Sequence, residues 1–104
     1  MIRFVDNQND LYDVFVFLRV FFKKQGVLIT TQENEKKVLQ KIGDNEKDIK
    51  IVTNQKEIIN QIIHVENEPI EFVVFDTQIS LDEQNIKQLQ NIKKDIYIIK
   101  RGDK

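Results

Sequence analysis

Short runs of aliphatic, aromatic and β-branched residues recur along the chain and predict five β-strands. The clearest run, residues 72–75, is apolar at every position, which is typical of a strand that is covered on both faces. It stops at the carboxylate of Asp76 and the hydroxyl of Thr77. The other predicted strands are residues 1–5, 27–31, 49–53 and 96–100.

Apolar residues at helical spacing lie between these strands and predict four helices. The first covers residues 10–25, with two lysines near its end and Gly26 as its stop. Its composition, rich in valine and phenylalanine, also suits a strand that turns back at residues 23–26, so helix and strand both stay open for residues 11–22. Capping-box spacing places the other three helix starts at Thr30 with Glu33, Asn54 with Glu57, and Ser80 with Glu83.

Strands that alternate with helices are typical of βαβ crossovers, which build parallel sheets. The chain has no Gly-, Pro- or Ser-rich linker, so residues 1–104 are expected to form one domain. We predict a three-layer, flavodoxin-like α/β fold in which four helices cover a five-stranded parallel sheet. The expected strand order is 2-1-3-4-5, the common doubly wound order for five strands.

Composition narrows the classes of function. Sixteen basic and seventeen acidic residues give a formal net charge of −1, which makes nucleic acid an unlikely partner. There is no cysteine, which excludes disulfides and thiolate chemistry and fits a cytoplasmic protein. The longest apolar run, residues 14–22, is shorter than the roughly 20 residues that a membrane span requires, so no membrane association is expected.

Polar residues follow every predicted strand. The carboxyl ends of parallel strands share one edge of the sheet, where α/β proteins place their binding sites. The same residue types also cap helices, so a purely structural role is the competing interpretation. The candidate residues for a ligand or partner edge are Asp6, Asn7, Thr53, Asn54, Asp76, Thr77 and Lys100.

Two of these residues could serve a metal ion. Carboxylates are the usual ligands of hard cations, and Asp6 with Asp76 could hold Mg²⁺ if the two lie close together. Asp82 could complete such a site, but its spacing forms no specific signature, so no cofactor is the default expectation. The three glycines are isolated, which argues against a phosphate-binding loop.

The first predicted helix carries more apolar residues than one buried face requires. We interpret the surplus as a surface for a protein partner or a second copy of the chain, or as a sign that the helix lies deep between neighbours. The candidate interface residues are Tyr12, Val16, Phe17 and Val20.

Residues 2–11 and 97–100 resemble the first and last strands of receiver domains in two-component response regulators. Active receivers hold magnesium with two adjacent acids, and here Asp6 matches one while Asn7 stands in the place of the other. Lys100 matches the family's lysine, whereas Thr53 stands where the phosphoacceptor aspartate belongs. The resemblance implies a pseudo-receiver that is not phosphorylated in the usual way. It also lacks the final helix, which would leave part of the first helix exposed.

Two further interpretations remain. A second receiver register makes Asp76 the phosphoacceptor, but it turns residues 44–69 into an insertion and leaves the fold one strand short. A weaker resemblance points to PIN-like nucleases, with Asp6, Asp76 and Asp82 as the metal-binding acids. The leading hypothesis is therefore a noncatalytic interaction or regulatory domain. The alternative is a metal-dependent phosphodiesterase or nuclease.

Overall fold

The computed structural model describes residues 2–42, 49–76 and 81–99, which form the predicted three-layer α/β fold with a five-stranded parallel sheet. A π-helical segment, Phe17–Phe21, continues the first helix, and a 3₁₀ turn, Gln32–Asn34, precedes the second. The strands are β1 (Ile2–Val5), β2 (Gly26–Thr30), β3 (Ile49–Ile51), β4 (Phe72–Asp76) and β5 (Asp95–Ile99), and the α-helices are α1 (Gln8–Val16), α2 (Glu35–Ile42), α3 (Gln55–Asn67) and α4 (Glu83–Gln90).

The strand order is β1-β5-β4-β2-β3, so the predicted order 2-1-3-4-5 is wrong. Strand β4 lies at the centre of the sheet, whereas β1 lies at an edge beside β5. Burial explains the difference. All five residues of β2 and of β4 are buried, as inner strands require, while β1 exposes Arg3 and Phe4. The sequence pattern predicts strand–helix–strand units without stating which strands become neighbours.

Helices cover both faces of the sheet. Phe72 and Val74 of β4 pack in the core cluster that contains residues of α1 and α2, whereas Val73 and Phe75 pack with residues of α3 and α4. The ring of Phe72 meets the ring of Phe15 edge-on, at a centroid distance of 5.6 Å. This alternation fixes which side of the sheet each strand-end side chain faces.

Residues 11–21 are helical, so the helix interpretation of this segment is correct and the strand interpretation is wrong. Asn7 caps α1, and its Oδ1 accepts a hydrogen bond from the Asn9 backbone N–H at 2.8 Å. The helical part ends at Phe21, four residues earlier than predicted, and Lys23 follows in the left-handed region with φ 54°. Gly26 is therefore not the helix stop but the first residue of β2.

One of the three predicted helix caps has the predicted partner. The Asn54 side chain caps α3 by accepting a hydrogen bond from the Glu57 backbone N–H at 3.0 Å. Thr30 belongs to β2 and is buried, so it caps nothing. Helix α4 is capped by Asp82 instead of Ser80, which lies outside the described residues. Capping-box spacing recurs by chance in a chain that is rich in Ser, Thr, Asn, Asp and Glu. Which of these residues caps a helix depends on where the preceding strand ends.

Candidate functional site

Asp76 is the centre of the polar cluster at the carboxyl edge of the sheet. It ends β4, and its side chain is fully buried on the α1 side, the same side as Phe72 and Val74. One carboxylate oxygen accepts a hydrogen bond from the Tyr12 hydroxyl. The Gln8 amide Nε2 lies 3.0 Å from Oδ1 and 3.1 Å from Oδ2. Both oxygens therefore receive donors from α1.

The local sequence explains how α1 reaches this carboxylate. Gln8 and Tyr12 are four residues apart, so they lie on the same face of the helix. Thr30 adds a hydroxyl from β2, where it pairs in register with Asp76, and its Oγ1 lies 3.5 Å from Oδ2. A buried carboxylate costs free energy unless donors surround it, and hydrogen bonds to an ionised acceptor are stronger than neutral ones. These contacts make Asp76 a polar anchor that holds α1 on the sheet.

The two predicted metal ligands lie in different surroundings, because Asp6 is exposed whereas Asp76 is fully buried. Asp6 is exposed after the edge strand β1, and β5 lies between β1 and β4. Two strand spacings separate the backbone exits of β1 and β4 by roughly 10 Å. Asp82 is exposed, and its Oδ1 accepts a hydrogen bond from the Asn85 backbone N–H at 2.8 Å. Within residues 2–42, 49–76 and 81–99, no three His, Cys, Asp or Glu side chains are grouped so that they could hold a metal ion.

Other strand-exit residues take part in helix capping. Asn7 and Asn54 cap α1 and α3. The Thr53 backbone N–H and hydroxyl donate to Glu57 Oε1 at 2.6 and 2.7 Å. The hydroxyl bond from Thr53, followed by the backbone bond, lowers the pKa of the Glu57 carboxyl below its ordinary value. Thr77 and Lys100, the remaining predicted edge residues, lie outside the described residues.

An open cleft of about 400 Å³ lies beside the Asp76 cluster, between α1 and α2. Gln8 and Tyr12 line it on one side, and Lys37 and Lys41 line it on the other. Lys41 forms an ion pair with Asp13, with Nζ and Oδ1 3.0 Å apart. Sequence reasoning missed the roles of Gln8 and Tyr12 here. The available signal was the four-residue spacing of a tyrosine and an amide, because a buried tyrosine hydroxyl needs a partner.

The surplus apolar residues of the first helix separate into two groups. Tyr12 is almost completely buried, and Val16 is half-buried, so neither forms an exposed surface. Phe17 and Val20 are exposed, as an interface requires. We use the term aromatic patch for the exposed apolar residues at the end of this helix: Phe17, Val20, Phe21 and Phe22.

The aromatic patch includes Phe21 and Phe22, which continue the helical spacing of apolar residues that begins at Leu11 and are therefore predicted to face the core. The side chains of Phe21 and Phe22 are 74% and 61% exposed. A π-helical turn contains more residues than an α-helical turn, so the segment Phe17–Phe21 rotates the predicted apolar stripe away from the sheet. The rings contact each other instead, because the Phe17 centroid lies 5.0 Å from that of Phe21 and 5.2 Å from that of Phe22.

The edge strand β1 extends this exposed surface. A hollow of about 380 Å³ lies between the end of the first helix and the sheet, and its lining includes Arg3 of β1, Tyr97 of β5, Phe17 and Phe22. Phe4 is 56% exposed on the same strand. Because neighbouring residues of a strand point to opposite faces, Phe4 faces away from this hollow. Aromatic side chains therefore flank β1 on both faces of the sheet.

Comparison with known proteins gives no family for this chain. No family model matches it, and no curated protein matches its sequence. In the part of the chain that the structure describes, no helix has both the length and the apolar character to cross a membrane.

Proposed function

We propose that this chain is a noncatalytic protein–protein interaction domain that binds its partner through the aromatic patch. The observation that carries the proposal is the exposure of three phenylalanines at the end of the first helix, where the Phe17 ring contacts both of the others. Large exposed apolar patches mark interaction sites, because water contact with so much apolar surface is unfavourable in an isolated domain. Phenylalanine is also among the residue types that are enriched in the centres of interfaces.

The size of the exposed surface supports the same proposal. The rings of Phe4, Phe17, Phe21 and Phe22 are between 45% and 74% exposed. A phenylalanine buries between about 150 and 250 Å², so these four residues leave roughly 350–590 Å² of apolar surface in contact with water, of which the three contiguous rings of the aromatic patch supply roughly 270–450 Å². The largest contiguous apolar patch on a typical monomer is about 300–600 Å² and is often functional. This surface is large enough to provide the centre of an interface.

The contacts of Asp76 favour binding over catalysis at the strand-exit edge. A metal ion or a phosphoryl group at this carboxylate would have to displace the donors Gln8 and Tyr12, which already occupy its oxygens. A regulatory role of receiver type remains part of the proposal. It relies on the three-layer parallel architecture; Thr53 in place of the acceptor aspartate argues against phosphorylation of the usual kind, and the strand order differs from the expected one. The cytoplasm remains the expected compartment because the chain has no cysteine.

Capture of partners with a patch variant tests the proposal. Wild-type protein, Phe21→Glu and the control Ile63→Glu are immobilised and exposed to an extract of the source organism. Ile63 is an exposed apolar residue of α3, outside the aromatic patch, so it controls for the added charge. We expect wild type and Ile63→Glu to retain the same protein, and Phe21→Glu to lose it. If the three proteins retain the same set, the aromatic patch does not bind a partner.

A further inference from the structure

Among the described strands, β1 lies at one edge of the sheet. It pairs in parallel with β5, from Ile2 opposite Ile96 to Val5 opposite Ile99, and no described strand pairs with its other side. The outward N–H and C=O groups of an edge strand are a template for another strand. Proteins commonly protect such edges by keeping the strand short or by placing charged residues or proline on it, and β1 has four residues with Arg3 as its one charged residue.

The apolar surface around this edge approaches what a stable dimer requires. A standard interface buries about 800 Å² on each partner. The roughly 350–590 Å² of exposed phenylalanine surface on the two sides of β1 corresponds to roughly half of that area or more. Strand pairing would add backbone and polar side-chain area from β1 itself. A twofold dimer buries the same surface on both copies, so no second, complementary surface is needed.

From this edge and its flanking aromatic side chains, we infer that a second copy of the chain pairs with β1 in antiparallel orientation and joins two sheets into one of ten strands. The inference deepens the proposed function, because it names the partner of the same surface. A closed twofold pair of two identical edge strands is necessarily antiparallel. A parallel addition would leave the arrangement open and would continue into a filament.

Side-chain geometry selects one register for this pairing. Residues directly opposite each other in an antiparallel pair point to the same face of the sheet, so even-numbered residues of β1 must oppose even-numbered ones. Two of the registers that meet this condition pair three residues of β1 with three residues of the second copy. One places Arg3 opposite its own copy, which brings like charges together and is unfavourable. The other places Phe4 opposite Phe4 of the second copy and Arg3 opposite Val5, so two aromatic rings meet on the twofold axis.

Cysteine crosslinking tests this register directly. The chain contains no cysteine, so a single introduced thiol can form a disulfide only between two copies. Opposite residues of antiparallel strands have Cβ atoms about 4.5–5.5 Å apart, close to the distance in a disulfide. We expect purified Phe4→Cys to form a disulfide-linked dimer at least ten times faster than Ile63→Cys, which reports random collisions. Phe21→Cys should remain near the collision rate, because the proposed axis passes through β1 and not through the end of the helix.

The alternative outcomes separate this inference from the proposed function. Fast crosslinking of Phe21→Cys with slow crosslinking of Phe4→Cys would identify a helix-mediated dimer and overturn the strand pairing. Collision rates for all three variants would exclude a second copy, and patch-dependent capture of another protein would then leave the proposed function intact. If Phe4→Cys fails to fold, amide hydrogen exchange of the wild-type protein tests the strand pairing instead. Amide protection in β1 should rise with protein concentration, and unchanged protection would contradict the pairing.

Discussion

The hydrogen bond between Tyr12 and Asp76 gives the sharpest prediction about the interior. Tyr12→Phe removes one hydroxyl that donates to a buried carboxylate and leaves the ring in place. A hydrogen bond to a charged group contributes about 1.5–3 kcal/mol to stability. For a small domain this change is large, because the total stability is about 5–15 kcal/mol. With a denaturant dependence of about 1–3 kcal/mol per molar urea, the unfolding midpoint should fall by about 0.5–3 M.

A double-mutant cycle separates this bond from the other contacts of the two residues. Tyr12→Phe, Asp76→Asn and the double variant are unfolded in urea, and the stabilities are combined. Because Asn in place of Asp76 presents an amide N–H₂ to a cluster of donors, Asp76→Asn should itself destabilise the fold. We expect a coupling free energy of about 1–3 kcal/mol, the upper range for residues in direct contact.

The matched control is Tyr97→Phe, the same chemical change at a half-buried position on β5. Its stability should stay within about 0.5 kcal/mol of the wild type. A coupling free energy near zero, or equal losses in Tyr12→Phe and Tyr97→Phe, would refute the role of Asp76 as an anchor for α1. The carboxylate would then be available for other chemistry.

Three more predictions concern the backbone and the caps. In Gly26→Ala the added Cβ would overlap the ring of the β4 phenylalanine that pairs with Gly26, so we expect the free energy of unfolding measured in urea to fall by about 1–3 kcal/mol. Lys23→Gly should raise stability by up to about 1 kcal/mol, because Lys23 has a φ of 54°, whereas the control Lys24→Gly should lower it. Thr53→Val should raise the pKa of Glu57 towards its ordinary value in an NMR titration. Since the folded-state pKa is lowered, the stabilisation by Thr53 is present above about pH 4.3 and is lost as the pH falls through the folded-state pKa.

Each prediction has a result that would contradict it. An unchanged midpoint for Gly26→Ala would mean that the phenylalanine ring can move away, against the close packing of β2 on β4. Equal effects of the two lysine substitutions would show that the left-handed backbone stores no strain. An unshifted Glu57 titration in Thr53→Val would show that the backbone N–H alone lowers the pKa.

Much of the fold follows from local patterns in the sequence. Strand β4 and the α3 cap at Asn54 are explained by a continuous apolar run and by one preferred capping residue. The strand order could not be predicted from such patterns, because it depends on contacts between strands that are distant in the sequence. The charged Arg3 and the shortness of β1 are features of an edge strand. They identify β1 as the edge only when the burial of its residues is compared with that of the other strands.

The candidate site was less accessible from the sequence. Asp76 was a plausible site residue because it ends the most apolar strand, but its partners depend on how α1 crosses the sheet. The aromatic patch shows the same difficulty. Helical periodicity places Phe21 and Phe22 in the core, and the π-helical segment moves them to the surface. Side chains of this composition give no local signal for such a change of helical register.

Sedimentation velocity of the purified protein tests most directly whether the aromatic patch and the β1 edge form a contact surface between copies. Wild type, Phe17→Glu and the control Ile63→Glu are compared over a wide concentration range, after urea unfolding has shown equal stability. We predict that wild type and Ile63→Glu shift from monomer to dimer as concentration rises, while Phe17→Glu stays monomeric. Identical sedimentation of all three proteins at every concentration would contradict the account.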